Sequence, residues 1–235
     1  MAWTDPVDIY CERVSAAFWA EPLNALSNAS FLLAALWAAA EARRRGNRSP
    51  VVWLLIGMAG SIGIGSFLFH TFANRWSELA DTLPIWSFVA AFVLAAMHFI
   101  GGMSGRRVAT VAVLVIAAAV AALWFASGEG GSGGTAAAPD PLNGSGQYFP
   151  AVLALVVFTG VAYWRRHPGA PWILGALVTF AVSLTFRTLD RDICAAFPLG
   201  THFVWHLLNG LMIAILLQML VRTGQFGPRP APQRT

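Results

Sequence analysis

Lysine is absent from this chain, and charge of either sign is scarce. Only 11% of the 235 residues are charged, against 57% that are hydrophobic, and the mean hydropathy is +0.62. That balance excludes an ordinary soluble domain and leaves a polytopic membrane protein. All fifteen basic residues are arginine, which together with abundant Ala and Gly fits a GC-rich bacterial genome. The formal net charge of +4 does not argue for nucleic acid, because the arginines cluster in short loops between apolar runs. A secretory signal is also missing: the first 23 residues carry Asp5, Asp8, Glu12 and Glu21 and have no apolar h-region. No internal repeat and no second domain is visible. Cysteine is limited to Cys11 and Cys194.

What is present is a series of apolar runs. A membrane span needs about 20 such residues, and seven runs qualify: 24–42, 51–70, 79–100, 108–126, 149–164, 172–190 and 201–221. The reading is an all-α, seven-helix transmembrane bundle. Arginines mark alternate connections: Arg43, Arg44, Arg45 and Arg48, then Arg106 and Arg107, then Arg165 and Arg166, then Arg222, Arg229 and Arg234. The intervening connections hold only Arg75 and Arg191. The positive-inside rule places the N-terminus outside and the C-terminus in the cytoplasm of a bacterial inner membrane. One domain is expected over residues 1–223, with 1–23 as an external segment and 224–235 as a disordered tail. The Gly-, Ser- and Ala-rich stretch Ser127 to Gln147 reads as a flexible exterior connector.

Polar residues inside apolar runs are costly and mark candidate sites. Two motifs qualify: Ser66-Phe67-Leu68-Phe69-His70, followed by Asp81, and His202-Phe203-Val204-Trp205-His206. A helix starting near Val51 at the inner face carries His70 roughly 28 Å along its axis, close to the outer boundary. Ser66 lies one turn deeper on the same face. Asp81, His202 and His206 stand near the outer starts of their spans. Three helices thus bring these residues to one depth. The i, i+4 histidine pair is a chelating unit, and three histidines with an open fourth position suit catalytic zinc. The bland readings are interfacial histidines, a small packing residue at Ser66 and a helix-start acid at Asp81. His98 and His167 sit at inner span ends beside arginines and read as plain interfacial residues.

Asp8, Glu12 and Glu21 form a second polar group ahead of the first span. Clustered carboxylates suit Ca²⁺; equally, they can simply solvate the segment. Asn24, Ser27 and Asn28 enter the first span as capping and interhelical hydrogen-bonding groups. Cys11 and Cys194 both fall on the exterior side, where an oxidising periplasm permits a disulfide. Two free buried thiols are the alternative, and the shared side favours the bridge.

The run Asp8-Ile9-Tyr10-Cys11-Glu12 with Trp19-Ala20-Glu21 and Asn24-Ala25-Leu26-Ser27-Asn28 resembles the start of the alkaline ceramidase family. Gly63-Ile64-Gly65-Ser66-Phe67-Leu68-Phe69-His70, with Asp81 eleven residues on, resembles that family's second and third helices. His202-x3-His206 resembles its last helix. The wider superfamily includes the progestin and adipoQ receptors. The resemblance implies that His70, His202 and His206 bind Zn²⁺, with Ser66 and Asp81 beside the metal and its water. It also implies calcium binding at Glu12 and Glu21, and at Asp8 with a one-residue shift; Val14 stands where an asparagine ligand is expected. Gly200-Thr201-His202 with Trp205-His206-Leu207-Leu208-Asn209 looks closer to bacterial members and the receptor branch. The expected activity is zinc-dependent hydrolysis of the amide of ceramide or a related N-acyl lipid drawn from the bilayer. The alternatives are a receptor-like protein with structural zinc and a hydrolase of another membrane lipid.

Overall fold

The computed structural model describes residues 2–128 and 140–223. Among these the regular secondary structure is helical, apart from one antiparallel bridge between Pro6 and Asn74. The first apolar run is broken at Asn28 into α1 (Pro22–Ser27) and α2 (Ala29–Arg44). Then come α3 (Pro50–Phe72), α4 (Arg75–Phe99), α5 (Gly105–Gly128), α6 (Phe149–Trp164), α7 (Ala170–Leu189) and α8 (His202–Thr223). A short 3₁₀ turn at Ser145–Tyr148 runs into α6, and another at Arg191–Ile193 follows α7.

With α1 joined to α2 and the first 3₁₀ turn to α6, six segments are long and apolar enough to cross a membrane. The protein is a multi-pass membrane protein. The run expected as a further span is helix α5, 24 residues long. Helix α8 is central: it packs on α1, α2, α3 and α7, and 67% of its apolar window is buried, more than in any other of the six.

Local chemistry sets the helix ends. α3 opens on Pro50, where the missing N–H costs no intrahelical bond. α4 opens with a capping box: the Asn74 side chain accepts from the Ser77 N–H, and the Ser77 hydroxyl accepts from the Asn74 N–H. This starts α4 four residues before the predicted 79 and places Asp81 in its second turn. At the other end of the bundle, Glu41 receives Arg44 (2.7 Å), Arg45 (2.6 Å) and Arg222 (3.3 Å), tying the end of α2 to that of α8.

One close approach positions the site. A Cβ on Gly65 would strike the carbonyl of Ala80. Pro84 lacks the N–H that would bond this carbonyl within α4. α3 therefore lies directly against α4 here, and the next residue, Ser66, comes into reach of Asp81. Gly65→Ala is expected to push the helices apart at about 1–3 kcal/mol, the usual cost of overpacking. It should show as a lowered Tm; an unchanged Tm would contradict the packing argument.

The connector expected to be flexible from Ser127 to Gln147 is partly ordered. Residues 127 and 128 belong to α5. From Asp140 the chain turns tightly, because the Asp140 carboxylate accepts the N–H groups of Leu142 (2.9 Å) and Gly144 (2.6 Å). These bonds hold the Asp140 carboxyl below its usual range. Buried Arg187 then bonds the carbonyl of Asn143 and the hydroxyl of Ser145 (3.3 Å). Residues 129–139 and the expected tail 224–235 lie outside the described residues.

Candidate metal centre

Helix α3 contributes His70, and α8 contributes His202 and His206 one turn apart. All three are buried, and one ring nitrogen from each lies within 4.8 Å of the others. Ring centroids are 5.2 Å (His70–His202), 4.7 Å (His70–His206) and 4.5 Å (His202–His206) apart. Three imidazoles this close, with no polar group between them, leave ring nitrogens without partners: His70 Nε2, His206 Nε2 and both nitrogens of His202. Burying several unpaired nitrogens together is unfavourable and a shared cation resolves it. The donor set fits zinc.

The outer partners settle which nitrogens face the centre. His70 Nδ1 lies 2.6 Å from Glu21 Oε2. A carboxylate only accepts, so Nδ1 carries the proton and Nε2 keeps its lone pair. The Ser27 hydroxyl donates its one hydrogen to the carbonyl of Asn24 (2.9 Å). It therefore accepts from His206 Nδ1 at 2.8 Å, again leaving Nε2 as the free donor. This is the carboxylate- or hydroxyl-backed arrangement that orients metal-binding histidines. His202 is held instead by stacking, between Tyr10 (3.6 Å between centroids) and Trp205 (5.0 Å). Its backbone N–H is bonded by Asp190 (2.9 Å), a buried carboxylate that also takes the N–H groups of Thr201 (2.7 Å) and Cys11 (3.1 Å). Gly200, at φ +62, leaves the space that Asp190 fills.

Ser66 and Asp81 adjoin this centre from α3 and α4. Both are buried, and the Asp81 carboxyl feels His70 and Ser66. Ser66 Oγ and Asp81 Oδ1 close no hydrogen bond of ordinary geometry, so both have capacity for a third group. Beyond the histidines, a partly open cavity of about 70 Å³ runs between α4, α6 and α8, lined almost wholly by apolar side chains such as Phe88, Phe92, Leu155 and Ile213. Trp205, between the two α8 histidines in sequence, lines it, and so does Asn209 one turn further on. Its lining is that of a site for an apolar ligand.

The N-terminal segment is fastened over the end of the bundle that carries the histidines. Cys11 and Cys194 form a disulfide, closing 183 residues. The three acids expected as calcium ligands are not gathered at one point. Asp8 is exposed. Glu12 is buried and accepts the N–H groups of Leu23 (2.7 Å) and Asn24 (2.8 Å). Burial raises the Glu12 carboxyl, and these two bonds offset part of that rise. Glu21 bonds Arg13 and Asn24 besides His70. Burial pushes its carboxyl up, but the His70, Asn24 and Arg13 contacts win and hold it below the usual range. His98 and His167 lie at the far ends of α4 and α6, away from the centre, as expected.

Four contributors were not legible as site residues: Arg13, Tyr10, Asp190 and Arg187. Of these, Arg187 carried a usable signal, a single arginine inside an apolar helix.

Residues 6–130 match the family model described as Ceramidase. That stretch holds Glu12, Glu21, Ser66, His70 and Asp81 and ends before α8. An alkaline ceramidase of Saccharomyces cerevisiae is 30% identical over 137 residues, 48% of this chain and 42% of the yeast protein. The match thus spans less than half the length of that relative.

Proposed function

The chain belongs to the ceramidase family, and on that premise we propose that it is a zinc-dependent intramembrane hydrolase of N-acyl lipids, with ceramide as the leading substrate. The observation that carries this reading is the meeting of three buried histidines with unpartnered ring nitrogens, Asp81 and Ser66 beside an apolar cavity. The proposed topology is seven spans including α5, with the N-terminus outside, as the arginine pattern favours.

His70 and His206 through Nε2, with His202, would hold zinc. When bound, the metal supplies Lewis-acid polarisation of the amide carbonyl and a lowered pKa for an attacking water. The cavity receives an acyl chain, so that the amide carbon stops at the histidines. Asp81 takes a proton from the water as its oxygen adds to that carbon. The Ser66 hydroxyl donates a hydrogen bond to the developing oxyanion. Asp81 then returns the proton to the nitrogen as the C–N bond breaks. The products are a fatty acid and a free amine, the sphingoid base when ceramide is cleaved. Glu21 and Ser27 keep the two Nδ1–H groups pointed away from the reacting atoms.

The test is product mass spectrometry of purified protein given a panel of N-acyl and O-acyl lipids. Release of fatty acid and sphingoid base from ceramide, above the turnover of O-acyl lipids, is expected. No amide cleavage in zinc-loaded protein would contradict the reading.

A further inference from the structure

The acidic N-terminal segment resembles one that holds calcium, yet the carboxylate oxygens of Glu12 and Glu21 there are already in use. Both carboxylate oxygens of Glu12 accept backbone N–H groups, from Leu23 at 2.7 Å and Asn24 at 2.8 Å. Glu21 Oε1 accepts Arg13 Nε, and Oε2 accepts His70 Nδ1 (2.6 Å) and Asn24 Nδ2 (3.0 Å). The carbonyls of Ser15 and His70 accept Arg13 Nη1 (3.1 Å) and Nη2 (3.0 Å). The Arg13 guanidinium is therefore the centre of an oxygen cage, and its residue is only 8% exposed. Val14, 85% exposed, and Asp8, also exposed, bring nothing to it.

Charge and ligand count both favour arginine over a metal here. Ca²⁺ takes 6–8 oxygens, and the cage offers none of Glu12's and only oxygens already bonded elsewhere. Of the two buried carboxylates, Glu12 is met by backbone N–H groups, and Glu21 is met by the guanidinium, whose N–H donors are fixed in direction. A calcium ion added beside it would place like charges together. We infer that Arg13 is a built-in cation that replaces calcium in this segment. It acts as a positioning residue: it holds Glu21 on His70 Nδ1 and clasps the His70 carbonyl, so the metal centre assembles without calcium.

This rests on the reading that His70 holds a metal. The test therefore measures metal content and stability rather than hydrolysis, and it stays decidable if the substrate proposal fails. Full-length protein in calcium-stripped detergent is compared with the same protein in millimolar calcium. In the wild type, Tm and zinc per chain are expected to be equal in the two buffers. Arg13→Gln removes the charge and opens the cage to Glu21, two carbonyls and the unpartnered Asn24 Oδ1. Its zinc affinity should fall roughly 10- to 100-fold, as for loss of an outer partner of a metal ligand, and calcium, but not magnesium, should restore most of it. Arg13→Lys, which keeps the charge, should retain more zinc than Arg13→Gln without calcium. A wild type stabilised by calcium would overturn the inference. So would an Arg13→Gln protein that loses zinc and is not rescued by calcium, or one that keeps zinc as tightly as the wild type. If Arg13→Gln does not accumulate, the wild-type comparison and Arg13→Lys decide: a Lys variant that needs calcium to keep zinc also overturns it.

Discussion

Alanine at both His202 and His206 is expected to strip the metal and end hydrolysis. The two rings leave α8 one turn apart, are fully buried, and form the chelating unit of the centre. His70 alone, backed by Glu21, leaves a single imidazole that cannot retain the ion. The metal's contribution to the transition state is several kcal/mol, so the loss is at least about 10³-fold in kcat/KM. The checks are zinc per chain by mass spectrometry and turnover in the same preparation, with helicity by circular dichroism as the folding control. A folded double variant with a full complement of metal would remove the histidines from the site.

Asp81→Asn separates chemistry from metal binding. Asp81 stands on α4, not on the helices that carry the histidines, and its Oδ1 has no partner. The amide cannot accept the proton of an attacking water or return it to the leaving nitrogen. Turnover is expected to fall roughly 10²- to 10⁴-fold, the usual range for general acid–base help, while zinc content and KM change little. Loss of zinc along with activity would instead make Asp81 a fourth protein ligand. That result would favour the closed, structural centre of a receptor-like protein.

The parts of the site that were legible in the sequence are those set by periodicity and membrane depth. The i, i+4 spacing put His202 and His206 on one stripe of α8, and the alternation of arginines put His70, Asp81 and the α8 pair at the same end of the bundle. The Cys11–Cys194 bridge followed from the same topology. What stayed hidden depends on which donor meets which acceptor across the chain. Glu12 and Glu21 counted as two clustered acids, yet one caps the N–H groups of α1 and the other orients His70. Arg13 looked like a stray charge among acids until folding enclosed it. Asp190 read only as the last residue of an apolar run, although its carboxylate gathers N–H groups from two distant segments. The break at Asn28 carries no Pro or Gly to announce it; backbone groups there are met by side-chain bonds such as Asn28 Nδ2 to the Asn24 carbonyl (2.8 Å). The order from Asp140 to Tyr148 comes from the Asp140 turn and buried Arg187, not from local hydrophobicity.

The most direct measurement is ceramide hydrolysis by metal-depleted wild-type protein as zinc is added back. The account expects no cleavage in the depleted protein, and activity that rises in proportion to zinc until one ion is bound per chain. Cleavage at the full rate in protein shown to contain no metal would contradict it.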